Sequence, residues 1–213
     1  MTTKQLALGL LSILLLVGIT GCIEESTTED TTELSGPPLT DEDWNYFQFH
    51  YISGNDLFSL FNEGFQVLNT HISLYNPTNS SFLIGVNESN KLEYLILDDI
   101  AETISQNVSR YQPELATYTV SPYFLNHSIR QEQLFDSYKN LSVVFNSVYV
   151  KVVTGYEPKE DMDAYIDISE EMEILFIIEQ FINLYMNDQL EYLAAIPDDV
   201  RAAWDDNDWS FME

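Results

Sequence analysis

Residues 40–75 read TDEDWNYFQFHYISGNDLFSLFNEGFQVLNTHISLY, and their spacing decides the fold class. Large apolar side chains recur at Trp44, Phe47, Tyr51, Phe58, Phe61, Phe65, Leu68, Ile72 and Tyr75, in alternating steps of three and four, with Gly54 in the one gap. That interval keeps a stripe on one side of an α-helix packed lengthwise against its neighbours. Thr40 stands where an N-cap is needed, and Asp41, Glu42 and Asp43 suit the positive end of the helix dipole. Ser53-Gly54-Asn55-Asp56 is a candidate break, with Asn55 or Asp56 capping a second helix. Local alternation over Trp44–Tyr51 is also compatible with a strand.

The same period continues downstream. A second helix is predicted from about Ser89 to Tyr111, burying Leu92, Leu95 or Ile96, Ile100, Ile104, Val108 and Tyr111, with Pro113 kinking or ending it. Ser121-Pro122 has the form of an N-cap and first-turn proline. A third helix then carries Leu134, Tyr138, Leu141, Phe145, Val148 and Val152 and stops at Gly155 and Pro158. A fourth lies between Asp167 or Ser169 and Pro197, with Asp167 and Glu170 spaced as a capping box. Its run Ile174–Ile178 is apolar on every side, as in a helix buried among others. Asp198 to Trp204 reads as a short acidic helix, and Trp204, Trp209 and Phe211 either close one end of the domain or form an exposed contact.

The resulting expectation is an all-α domain over 41–213, an up-down bundle of about four long helices with a short C-terminal helix. The alternative is α+β, with short strands near 82–86 and 143–153, where β-branched and aromatic residues cluster.

Ahead of the domain, Lys4 precedes the apolar stretch Leu6–Ile19, and Ile19-Thr20-Gly21-Cys22 follows. A charged start, a short hydrophobic middle and a small-residue exit are the layout of a cleavable export signal. Ending in cysteine, it resembles the lipobox of prokaryotic lipoproteins over residues 1–22. The resemblance implies a signal peptide over 1–21, cleavage before Cys22 and lipid on its sulfur. The implied location is extracytoplasmic, on the cell membrane, with the membrane as partner through Cys22. A single acyl chain holds a protein only marginally, so stable anchoring implies more than one. Residues 23–40, IEESTTEDTTELSGPPLT, are too polar to offset the entropy of ordering and read as an acidic tether from Cys22 to the domain.

The full chain carries 8 basic and 35 acidic side chains, net −27; loss of Lys4 with the signal makes it −28. This charge repels phosphate backbones, so no nucleic-acid partner is expected. It favours a protein partner with a basic surface, or simply a solvated exterior in salt. Cys22 is the only cysteine, so once it is lipidated disulfides, thiolate metal sites and cysteine nucleophiles are excluded. The core must then come from packing alone, helped by 13 Tyr and 12 Phe.

Catalytic signatures are missing. His50, His71 and His127 form no H-x-x-x-H or E-x-x-H pair, and no G-x-S-x-G, Walker A or dinucleotide glycine pattern occurs. No catalytic residue and no cofactor are expected. Asp161, Asp163 and Asp167 are the nearest approach to a metal cluster, but an EF-hand register from Asp161 puts Tyr165, Ile166 and Met172 where oxygen ligands and glycine belong. Of five N-x-S sequons, at Asn79, Asn87, Asn107, Asn126 and Asn140, those at Asn79 and Asn87 fall in a predicted loop and are the candidate glycosylation sites, while Asn107 and Asn140 fall in predicted helices. The expected function is a non-enzymatic binding or envelope-interaction module; the alternative is a sensor or carrier holding a small molecule or cation between helices.

Overall fold

A computed structural model describes residues 39–212 except 77–80, 123 and 157–163, and gives the backbone alone for 73–76, 125–130, 186–192 and 195. The described residues belong to one compact unit, 37–213; a second, 1–36, lies outside them. The order is α1 (Asp41–His71), β1 (Ile72–Asn76), β2 (Ser81–Val86), α2 (Lys91–Leu115), α3 (Leu125–Gly155), β3 (Ala164–Asp167), α4 (Ser169–Ala195) and α5 (Asp198–Arg201). Two 3-10 turns, Ala202–Trp204 and Ser210–Met212, follow. The domain is mainly helical, as expected.

It is not all-α. β1, β2 and β3 form an antiparallel sheet in that order, Tyr75 opposite Phe82 and Ile84 opposite Ile166, with an irregularity between Ile72 and Leu74. Ile72 and Tyr75, expected on the first helix, are therefore strand residues. The expected strand at 82–86 is present, whereas 143–153 lies wholly in α3. There Val144, Val148 and Val152 face the core while Val143, Val150 and Val153 face outward, so helical periodicity overrides β-propensity. Ile84 and Val86 are fully buried and Ile166 nearly so, giving the short strands an apolar face to cover.

α1 begins as predicted. Thr40 Oγ1 accepts from the Asp43 amide at 3.2 Å, and Asp43 Oδ2 accepts from the Thr40 amide at 3.0 Å. Gly54 does not break the helix, and Trp44–Tyr51 is helical rather than a strand. The buried stripe is rotated from the expected one: Tyr46, His50, Ser53, Leu57 and Gly64 join Trp44, Phe47, Gly54, Phe61 and Leu68, while Tyr51, Phe58 and Phe65 are half-buried. Gly64 explains the rotation. A Cβ there would sit 2.5 Å from Cε2 and Cζ of Phe145, so absence of a side chain lets α3 approach.

α2 buries Tyr94, Leu97, Ala101, Ile104, Val108, Tyr111 and Leu115, together with Ile100. Leu92, Leu95 and Ile96, expected inside, are exposed. Tyr94 takes the inner place because its hydroxyl reaches the carbonyl of Gly85 at 3.0 Å, joining helix to sheet. Pro113 neither ends the helix before it nor excludes it: it sits in the last turn, where one missing N–H costs one bond. α3 buries all six predicted residues, but starts at Leu125 rather than after a Ser121 cap. Ser121 instead donates its amide to Asp43 Oδ1 at 2.9 Å, and its carbonyl accepts from Phe124. The predicted capping box at Asp167 and Glu170 is replaced by an Asp turn, with Asp167 Oδ1 accepting from the Ser169 amide at 2.9 Å. Ser169 Oγ then accepts from the Phe82 amide at 2.8 Å, fixing the start of α4 to β2.

Side-chain bonds tie the helices in chain order. His71 at the end of α1 meets Glu93 at the start of α2, at 2.7 Å. Tyr111 near the end of α2 reaches Asp56 in α1 at 2.8 Å. Ser142 of α3 donates to the carbonyl of Ala101 at 2.8 Å, and Ser147 to Glu171 of α4 at 2.8 Å. The C-terminal aromatics close the end where α1 begins. Trp204 is buried, 5.2 Å from Trp44 between ring centres, and the half-buried Trp209 and Phe211 pack on the same ring.

Candidate functional site

A cleft of about 480 Å³ opens where the end of α2, the loop after it and the start of α3 meet α1. Tyr46, Tyr118 and Phe135 supply aromatic surface; Gln112, Gln131 and Glu132 supply polar groups. Each arrives for a local reason. Tyr46 lies on the inner stripe of α1, four residues before His50. Tyr118 lies just past α2, where the amides of Thr117 and Tyr118 turn back to the carbonyls of Glu114 and Leu115. Gln131 and Phe135 are one turn apart on the buried side of α3.

Behind the cleft runs a buried polar chain. Tyr46 donates its hydroxyl to Gln131 Oε1 at 2.9 Å. Gln131 Nε2 meets His50 Nδ1, and Tyr185 Oη of α4 lies 2.7 Å from His50 Nε2 and 3.1 Å from Nδ1. His50 and Gln131 are 1% and 3% exposed, so their hydrogen bonds replace those lost to water. The chain joins α1, α3 and α4 at one level and orients the Tyr46 and Gln131 groups facing the cleft. Burial, then the nearby charge of Glu114, pushes the Tyr118 phenol above its ordinary pKa, so it is neutral at pH 7.

A second buried polar group lies elsewhere. Glu171, 1% exposed at the start of α4, accepts from Lys151 Nζ at 2.6 Å and Ser147 Oγ at 2.8 Å. Lys151 also reaches the carbonyl of Asp167 at 3.1 Å. With both carboxylate oxygens bonded, this is a fastening of α3 to α4 and β3.

Of the residues singled out in the sequence, Cys22, Asn79, Asp161 and Asp163 lie outside the described residues, as does the side chain of His127. Asn87 follows β2, half-buried, its Oδ1 accepting from the amides of Ser89 and Asn90 at 3.0 and 3.1 Å. Asp167 is occupied by Ser169, whose hydrogen bonds hold its carboxyl below the ordinary pKa. Among the described residues no group of three or more histidines and acids is placed to share a metal ion. Among them, too, no helix is long and apolar enough to cross a membrane.

Sequence reading did not assemble Tyr46, His50, Tyr118, Gln131 and Tyr185. One signal for part of the set was present: Tyr46, His50, Ser53 and Leu57 repeat at steps of four, three and four, parallel to the bulkier stripe. Comparison of the chain with family models, with curated proteins and with solved structures finds no match in any of the three.

Proposed function

We propose that this chain is a lipid-anchored, extracytoplasmic binding protein without enzymatic activity, and that its ligand is a small molecule held in the Tyr46–Tyr118 cleft. The anchor rests on Leu6–Ile19 and Ile19-Thr20-Gly21-Cys22. The domain is read as an up-down bundle of four long helices. What supports that reading is the contact between successive helices: His71 at the end of α1 with Glu93 at the start of α2, Tyr111 near the end of α2 with Asp56 in α1, and Ser147 of α3 with Glu171 at the start of α4.

The observation that carries the ligand reading is the cleft itself: about 480 Å³, aromatic on several sides, with a fixed polar chain behind it. Concave, largely apolar sites with a few convergent polar groups are the usual form of small-molecule sites. The acidic surface supports a second reading, docking of a protein with a basic face. The test is an NMR titration of the detergent-solubilised full chain with a panel of small neutral, anionic and cationic organic compounds. Saturable shifts confined to Ala116, Tyr118 and Gln131 are expected. No saturable response at those positions, with shifts instead from an added basic protein, would overturn the small-molecule reading in favour of docking.

A further inference from the structure

We propose that the cleft selects an organic cation, carrying an alkylammonium group such as trimethylammonium; this rests on the reading of the cleft as a small-molecule site. Tyr118, half-buried, presents the accessible aromatic wall, and the buried Tyr46 meets it edge to face at 6.0 Å between ring centres and an interplanar angle of 70°, closing the corner. Phe135 adds a third aromatic lining residue. Faces of this kind attract cations through the ring quadrupole, most strongly where water is displaced.

The charges around the corner have the matching sign. Among the described lining residues Glu132 is the one carboxylate, and none is Lys, Arg or His. Glu114 acts electrostatically on Tyr118, and Glu42 accepts from the Thr119 amide at 2.8 Å. The ammonium of Lys139 lies at the edge, bonded to Gln112 Oε1 at 2.6 Å and Asp136 Oδ1 at 3.2 Å, so its charge is compensated locally.

The hydrogen-bonding sense agrees. An anion needs donors, and five amides of the nearby loop are already bonded. The amides of Ala116, Thr117 and Tyr118 are bonded within the turn, and those of Thr119 and Ser121 to Glu42 and Asp43. The net charge of −27 opposes anion entry further. A neutral ligand would use the aromatic surface without the Coulombic attraction of the carboxylates.

The test compares choline with its uncharged isostere 3,3-dimethylbutan-1-ol by NMR titration of the detergent-solubilised full chain at 0.15 M salt. Choline should bind about tenfold more tightly. Tyr118→Ala should weaken choline about tenfold and leave net charge unchanged, and Glu132→Gln should weaken it several-fold. Equal affinity for the two compounds would overturn cation selection while leaving a small-molecule cleft. Choline binding untouched by Tyr118→Ala would mean attraction by the overall negative field and would also overturn it. Binding of neither compound at the cleft would overturn it, and the panel titration above then decides separately whether the cleft binds anything.

Discussion

Replacing Gly64 by alanine should reverse the usual effect of that exchange. In a helix interior alanine is favoured over glycine by about 1 kcal/mol. Here the new methyl would meet Phe145 Cε2 and Cζ at 2.5 Å and Cδ2 at 3.1 Å, and Phe145 is fully buried, with little room to yield. Overpacking of that kind costs about 1–3 kcal/mol. With the propensity gain set against it, Gly64→Ala should destabilise the domain by about 1 kcal/mol. Phe145→Leu removes the two closest atoms and should itself cost about 1–2 kcal/mol through the space it leaves. In that background Gly64→Ala should stabilise by about 1 kcal/mol, a coupling of about 2 kcal/mol. Urea denaturation of the four variants, followed by far-UV circular dichroism, measures the cycle. Stabilisation by Gly64→Ala in the otherwise unchanged protein would show that α1 and α3 do not meet through Phe145 and Gly64.

Three further outcomes are expected. Gln131→Leu should cost about 1–3 kcal/mol in urea unfolding, because Tyr46 and His50 both lose a buried partner; an unchanged midpoint would remove the polar chain as a structural element. Burial and the hydrogen bond to Asp56 raise the Tyr111 phenol to about 12, and burial raises Tyr94 and Tyr138 as well. Raised folded-state values mean that stability is fully present below pH 10 and is lost as pH climbs through the folded values, so part of the tyrosinate absorbance should appear only with unfolding. A single transition near pH 10 for all 13 tyrosines in the folded chain would contradict this. Mass spectrometry of the membrane fraction should find an acylated peptide beginning at Cys22, and Cys22→Ala should release the chain after signal cleavage; a firmly bound Cys22→Ala form would refute the lipid anchor.

The third helix was the most legible part of the sequence. Leu134, Tyr138, Leu141, Phe145, Val148 and Val152 are large and evenly spaced, and all face the core. The first helix was legible in type but not in rotation, because side-chain size points to Phe58 and Phe65 while the tight contact is made through Gly64. A pattern of hydrophobicity cannot register a packing site made by a missing side chain. Of the small sheet only β2 was legible, at 82–86; β3 has four residues and pairs with a strand far along the chain, so its local alternation is too short to read. The cleft was hidden for the same reason of distance. Tyr46 and Gln131 are separated by 85 residues and His50 and Tyr185 by 135, and none forms a short motif with its partner.

The central claim is that the cleft between Tyr46 and Tyr118 holds a small molecule. Native mass spectrometry of the chain, purified from its own membranes and released gently from detergent, tests it most directly. The expected spectrum shows one non-covalent organic adduct per chain, absent from Ala116→Trp, which puts an indole into the cleft beside Tyr118. A bare protein mass, or an adduct that survives Ala116→Trp, would contradict the claim.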